Sequence, residues 1–354
     1  MPRILQYLLI PFSWLYGLVV VVRNYLYDAH LSRSYQAPIP VICVGNLTVG
    51  GTGKTPQVEY LARLFKNKKI GILSRGYKRK TKGFVLGDAQ ATALTLGDEP
   101  FQYLQSLPFV KVAVCEKRAE GIQRLLTAFP DLELILLDDA FQHRAVKASF
   151  YLLLTDYSRL FTNDYLLPAG RLREPKAGAK RADAIVVTKC PENLTTFQQQ
   201  TITTKVQEFI RAGVPVFYSK IQYGQAIAFG KDSPLAKQLI LVTGIVNAQP
   251  LVQYLQGQGF GIVHHFKGAD HAEYSPERIK EIYQFWAQQP NKENVSILMT
   301  QKDAVKWQHP SVKNLLGQMP LFYLPIVNAF WPHEPSFDAY MQQALTGEGF
   351  HINS

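Results

Sequence analysis

The chain is poor in cysteine, short of acidic residues and free of repeats. Its three cysteines, Cys43, Cys115 and Cys190, are scattered, and none belongs to a CxxC pair or a metal-ligand spacing. That arrangement argues against a disulfide framework and against a zinc site, and it fits a reducing compartment. Aspartate and glutamate number 27 against 38 lysines and arginines, which leaves a formal charge of +11. Such an excess favours anionic partners: phosphorylated substrates, nucleic acid or acidic lipid headgroups. With no internal repeat and no low-complexity tract, 354 residues point to one large or two ordinary domains. Nearly half of the residues are apolar, enough for a substantial core.

One apolar run stands apart. "ILQYLLIPFSWLYGLVVVV", Ile4 to Val22, lies between Arg3 and Arg23. As a helix it would reach roughly 28 Å, about the hydrocarbon thickness of a bilayer. Gln6, Pro11 and Ser13 weaken a spanning reading, whereas Tyr7, Trp14 and Tyr16 suit the membrane interface. No small-x-small site follows before Asp28, so a cleaved signal peptide is not expected. Residues 1–27 are therefore expected to associate with a membrane, either spanning it or lying in its surface, with the basic remainder on the cytoplasmic side.

Beyond a proline-punctuated linker, buried strands and helical patterns alternate. "VICV" from Val41, "KIGILS", "FVKVAV", "LELILLDD", "SFYLLLTD" and "ADAIVVTK" read as strands of a parallel sheet covered on both faces. "VPVFYSKIQYGQAIAFG" reads as a β linker, after which "LILVTG", "VSILMT" and "LFYLPI" start a second strand–helix alternation. The expectation is an α/β chain: a membrane-associating helix over 1–27, a P-loop-type parallel-sheet domain over 28–213, a β linker over 214–232, and a smaller α/β domain with a closing helix over 233–354.

The chemistry centres on "VGNLTVGGTGKTP". A strand leads into Thr48, Val49, Gly50, Gly51, Thr52, Gly53, Lys54 and Thr55, and a helix follows from Pro56. Glycines let backbone N–H groups turn inward around an anion, lysine adds a point charge for phosphate, and a threonine hydroxyl can ligate Mg²⁺. Thr48 stands where the strict P-loop pattern has glycine, but the strand–loop–helix context is right. "LILLDDAF" places Asp138 and Asp139 at the carboxyl edge of a strand, where a carboxylate can hold Mg²⁺ directly or through water. "LGDEP" offers Asp98 as a proton acceptor for an attacking hydroxyl. "ADHAEY" offers Asp270 and His271. Arginines in "SRGYKRKTKG" and "GRLREP" match phosphate geometry.

Together these stretches resemble the tetraacyldisaccharide 4′-kinase (lipid A 4′-kinase) family. The likeness rests on Val44–Pro56, "SRGY" at Ser74–Tyr77, "GDEP" at Gly97–Pro100, "LDDAFQHR" at Leu137–Arg144, "LLPAGRLREP" at Leu166–Pro175, "VTK" at Val187–Lys189, the Asp270–His271 pair and "KDAVK" at Lys302–Lys306. Ala272 stands where the family often has a second histidine, and Gln301 where it often has glutamate. The resemblance implies two α/β domains, ATP with Mg²⁺, and transfer of the γ-phosphate to the 4′-hydroxyl of a tetraacylated glucosamine disaccharide 1-phosphate, giving lipid IVA. It implies Asp98 as general base with His271 as its partner. Arg75, Arg118, Arg171, Arg173 and Glu174 become candidate substrate contacts. The expected partners are the lipid disaccharide and the acidic inner leaflet of the inner membrane, not nucleic acid.

Rival readings leave marks that can be checked. A membrane-associated P-loop switch ATPase of the deviant kind would carry an extra lysine where Val49 stands. A GTPase would read guanine through Asn-Lys-x-Asp, which "VTKCPE" echoes only faintly, with Thr188 and Glu192 out of pattern. A nucleic-acid ATPase would show a basic platform interleaved with aromatics, and none is present.

Overall fold

Runs such as Val41–Asn46 and Leu134–Asp138 are apolar at nearly every position because both faces of their sheet are covered, and each is buried throughout. The computed structural model describes residues 3–245, 247–269, 274–307 and 312–346. Two compact units emerge. One comprises Met1–Gln90, Tyr103–Gln222 and Val327–Ser354; the other comprises Ala91–Gln102 and Tyr223–Ile326.

The sheet of the first unit runs, in spatial order, Ile326–Phe330, Val216–Tyr223, Ala184–Thr188, Phe150–Asp156, Val41–Asn46, Leu134–Asp138, Ile70–Ser74, Val110–Val114 and Val85–Leu86. From Val216–Tyr223 to Val110–Val114 every pairing is parallel; Val85–Leu86 closes the edge antiparallel. Alternate residues feed opposite cores. Val41 and Cys43 pack with Ile122, Leu125 and Ile202 on one face, whereas Ile42 and Val44 pack with Val58, Leu61 and Met341 on the other. The register sets Val44 beside Asp138, Asn46 beside Leu154, and Asp156 beside Thr188. The chain segments that follow these strands therefore leave the sheet from one carboxyl edge, where α/β folds bind ligands.

The second unit carries a five-stranded sheet ordered Ile227–Ala228, Leu321–Leu324, Val295–Thr300, Gln238–Thr243 and Gly261–Lys267. Its pairings are parallel except that of Ile227–Ala228 with Leu321–Leu324.

The C-terminus differs from the chain-order expectation. Residues 233–354 read as one continuous domain, but the chain from Val327 returns to the first unit. Aromatic packing and buried polar pairing hold it there. Phe330 stacks on Phe337 with ring centroids 3.9 Å apart, a geometry worth about 0.5–1.5 kcal/mol beyond area burial. The Tyr60 hydroxyl donates to Asp338 at 2.6 Å, and the Asn328 amide donates to Gln57 at 2.7 Å. The stretch expected as a β linker, 214–232, likewise divides: Val216–Tyr223 joins the first sheet and Ile227–Ala228 the second.

The N-terminal helix, Arg3–Asp28, is the one helix among the described residues long and apolar enough to cross a membrane. Most of its apolar side chains face solvent, Trp14 with 72% of its surface exposed and Leu18 with 60%. A narrow polar stripe is docked instead. The Ser13 hydroxyl donates to the Leu166 carbonyl at 3.0 Å and accepts from the Ala169 N–H at 3.0 Å. The Tyr16 hydroxyl donates to the Arg173 carbonyl at 2.7 Å, and Asn24 to Glu174 at 3.2 Å.

Candidate active site

The turn that follows Val41–Asn46 needs glycine at two points, because Gly50 has φ +113° and Gly53 has φ +79°. Gly53 precedes the helix Lys54–Leu64, whose start has no side-chain cap. Its first N–H groups are left to face an anion, with the positive end of the helix dipole behind them.

The surroundings tie down the other polar groups of the loop. The Thr188 hydroxyl donates to the Thr52 carbonyl at 2.9 Å, and the Lys189 ammonium donates to the Gly51 carbonyl. The Val49 N–H donates to the Arg171 carbonyl at 2.8 Å, and the Arg173 N–H to the Leu47 carbonyl at 2.7 Å. From the strand beneath, the Asn46 amide donates to the Thr52 hydroxyl at 2.8 Å and its oxygen accepts from Lys54 at 3.4 Å. Gly45 lets the strand pass close to the next segment, since a Cβ there would lie 2.6 Å from that of Phe141.

Lys54 also lies 3.6 Å from Asp139. That residue adopts a left-handed backbone, φ +49°, just past the end of its strand. Both Asp139 oxygens accept from Arg173, at 2.9 and 3.0 Å. Burial pushes this carboxyl up, but Lys54 and Arg173, with Arg118, outweigh it and hold the group below the ordinary carboxylate range. Asp138 is buried and accepts from the Ser74 hydroxyl at 3.0 Å. Asp138, Asp139 and Thr55 each offer oxygen donors, the kind that suits a hard cation such as Mg²⁺. Among the described residues no group of three His, Cys, Asp or Glu side chains could cage a metal. A cation bound through one or two carboxylates and substrate phosphates needs no such cage.

The candidate substrate contacts take different places. The Arg171 side chain is exposed, and a Cβ on Gly50 would lie 4.0 Å from its Nη1. Arg75 is exposed and lines a pocket of about 350 Å³ with Lys78, Arg79 and Lys82. Arg118 is buried and donates to the carbonyls of Cys115 and Glu116 at 3.1 and 3.0 Å. Arg173 is occupied by Asp139. Glu174 is fully buried, and its oxygens accept from Arg181, Gln142 and Asn24. Asp98 belongs to the second unit, where Lys306 lies 3.6 Å away. Asp270 and His271 lie outside the described residues.

Several participants were quoted in the sequence only as parts of motifs. Asn46, Gln142, Thr188 and Lys189 each bond to the glycine loop or to the strand that leads into it. The signal available was their place in "VGN", "FQHR" and "VTK". For Gln142, Thr188 and Lys189 the partners are far away in sequence, so no local pattern announces the bonds. His143 accepts from the Arg118 N–H at 3.3 Å, and burial, then Arg118, Arg23 and Arg75, push its imidazole down to about 4.

Comparison with known proteins places the chain among relatives. Residues 5–346 match the family model described as tetraacyldisaccharide-1-P 4′-kinase. A tetraacyldisaccharide 4′-kinase of Flavobacterium johnsoniae is 42% identical over 97% of this chain and 98% of its own. One of Cytophaga hutchinsonii is 43% identical over 91% of each chain. A crystal structure of LpxK from Aquifex aeolicus in complex with ATP aligns with a TM-score of 0.74 at 32% identity, covering 96% of this chain and 99% of that one.

Proposed function

The chain belongs to the tetraacyldisaccharide-1-P 4′-kinase family, and from that membership we propose that it transfers the γ-phosphoryl group of ATP to the 4′-hydroxyl of a tetraacylated glucosamine disaccharide 1-phosphate. The observation that carries this reading in the molecule is the glycine loop, with the Gly51 and Thr52 carbonyls tied back, the first N–H groups of the helix it opens left for phosphate, and Lys54 held between Asn46 and Asp139.

Phosphoryl transfer asks a protein mainly for alignment and charge. The loop amides and Lys54 hold the β and γ phosphates. Lys54 can exchange its contact with Asp139 for phosphate oxygens with a short movement of its ammonium. Arg173 stays on Asp139 and keeps that carboxylate ionised. Thr55, Asp138 and Asp139 would hold Mg²⁺, which when bound neutralises charge on the phosphate oxygens. Arg171 offers a guanidinium at the open side of the loop. Asp98 accepts the proton of the 4′-hydroxyl as its oxygen bonds to the γ phosphorus and the bond to the leaving ADP oxygen breaks. Lys306 orients that carboxylate. His271 is carried as its partner by family likeness.

The substrate is a lipid, so the enzyme works at a surface. The N-terminal helix fits a helix lying in the plane of the membrane better than one spanning it. Ser13, Tyr16 and Asn24 bond to the globular body, and a spanning helix would pull them away from it. The exposed apolar side chains would enter the headgroup boundary on the cytoplasmic face of the inner membrane, with acidic lipids drawn to the basic protein.

Purified protein given ATP and the disaccharide 1-phosphate in mixed micelles should convert it to a species carrying one more phosphate, followed by mass spectrometry. Asp98→Asn should lower kcat by about 10²–10⁴-fold and leave ATP binding unchanged. If the loss appears only in ATP binding, Asp98 is not the base.

A further inference from the structure

The polar stripe that docks the N-terminal helix does not end at the surface it meets. Ser13, Gly17 and Val20 are buried, and Tyr16 and Asn24 half-buried, at helical spacing, so one narrow face of Arg3–Asp28 is committed to the body of the first unit. Two routes lead inward from that face. The Tyr16 hydroxyl donates to the carbonyl of Arg173. The N–H of Arg173 donates to the Leu47 carbonyl, just past the strand Val41–Asn46, and its guanidinium holds Asp139. On the second route the Asn24 amide donates to one oxygen of Glu174 at 3.2 Å, and the other oxygen accepts from the Gln142 amide at 2.8 Å. That same amide nitrogen donates to the Asn46 carbonyl at 2.8 Å, and the Gln142 oxygen lies 3.5 Å from the Arg173 guanidinium. Arg181 donates to both oxygens of Glu174. The buried charge is therefore paired whatever Asn24 does, and Asn24 bears on where the carboxylate sits.

A helix bonded in this way is more than an anchor. We infer that Tyr16 and Asn24 are positioning residues for phosphoryl transfer: the docked helix holds the Arg173 backbone and the Gln142 amide, and through them the Asp139 carboxylate and the end of the strand that opens into the glycine loop. The inference rests on the reading of this site as a kinase. Both residues act at one remove, Tyr16 through Arg173 and Asn24 through Glu174 and Gln142. Phosphoryl transfer is sensitive to such support, because a misplacement of about 1 Å caused far from the chemistry can cost about 10²-fold. Trp14 and Leu18 lie on the exposed side of the same helix. Opposite faces thus serve the membrane and the site, so substitutions on the inner face can separate the two roles.

Tyr16→Phe removes one hydroxyl and keeps the ring; Asn24→Ala removes the amide. Transfer to tetraacyldisaccharide 1-phosphate in mixed micelles is measured for the full-length protein and each variant, with kcat and the KM for lipid resolved. Binding to acidic phospholipid vesicles is measured by sedimentation, and thermal unfolding verifies folding. Each variant should lower kcat by about five- to tenfold and leave vesicle binding and the KM for lipid unchanged. A loss confined to vesicle binding or to the KM for lipid would make the stripe an anchor alone and overturn the inference, as would an unchanged kcat. A double-mutant cycle checks the route. In a Gln142→Leu background, Asn24→Ala should lower kcat by no more than about a further twofold; the full five- to tenfold loss there would show that Asn24 does not act through Gln142. Wild-type protein that transfers no phosphate to the lipid would remove the kinase reading itself.

Discussion

Around the glycine loop three cations have fixed partners, whereas in the basic loop 75–82 most cations stand in solvent. Lys54 lies against Asn46 and Asp139, Arg173 holds Asp139 with two contacts, and Lys189 is tied to Gly51 and Asp156. Arg75, Lys78, Lys80 and Lys82 are exposed. Arg79 differs from these neighbours: it is paired with Glu116 at 2.6 Å, and only 2% of its side chain is exposed. Both regions belong to the first unit, and both are suited to phosphate. The fixed region is pre-organised for one ligand geometry, which is what alignment in phosphoryl transfer needs. The exposed region offers charge without geometry, which suits a lipid surface whose headgroups vary in position.

That contrast breaks most visibly at Lys54. Lys54→Ala should lower turnover by about 10²–10³-fold, measured as phosphate transferred per enzyme at saturating lipid. Normal turnover would mean that the fixed cation is not aimed at the transferred group. Next is the strand beneath the loop. Gly45→Ala would set a Cβ 2.6 Å from that of Phe141, and overpacking of this kind costs about 1–3 kcal/mol. Urea unfolding should show the loss, with weaker ATP binding alongside it; an unchanged midpoint would mean that the close approach is not needed. The exposed region should respond differently. Replacing Lys78, Lys80 and Lys82 with glutamine should weaken binding to acidic vesicles by about a hundredfold, more at low salt than at high, and leave the KM for ATP unchanged. A change in ATP KM would erase the distinction between the two regions.

A pH-dependent effect concerns His143. Its folded-state pKa is depressed to about 4, against an ordinary value near 6.5. Between those values the unfolded chain binds a proton that the folded protein refuses. Stability should therefore fall as pH drops from about 6.5 to about 4, and His143→Gln should flatten that slope. Equal slopes in both proteins, followed by thermal unfolding across that range, would show that the buried imidazole does not resist protonation.

Much of this was legible in the sequence, and the reason is local. A glycine loop between a strand and a helix, or two aspartates that end a strand, is a contiguous pattern whose geometry follows from its own residues. The buried strands were legible for the same reason. Pairings over long separations were not. Glu174 is recognisable as part of "GRLREP", but nothing nearby reveals that Arg181, Gln142 and Asn24 take up its oxygens. The residues from Phe337 to Thr346 read as a closing helix, yet periodicity shows a buried face without saying which core receives it. Tyr60 decides that through Phe330 and Asp338, and it is far from both in the chain. The N-terminal helix is intermediate. Its apolar length is plain from composition, while the docked stripe of Ser13, Tyr16 and Asn24 is visible only against the segment it meets.

The central claim is tested most directly by following the γ phosphorus itself. Purified protein is incubated with γ-labelled ATP and tetraacyldisaccharide 1-phosphate in mixed micelles, and the product is examined by phosphorus NMR with proton correlation. The account predicts a new phosphomonoester correlated with the proton on the 4′ carbon, with the 1-phosphate unaltered. Label found only in inorganic phosphate, or remaining in ATP while the lipid is unchanged, would contradict it.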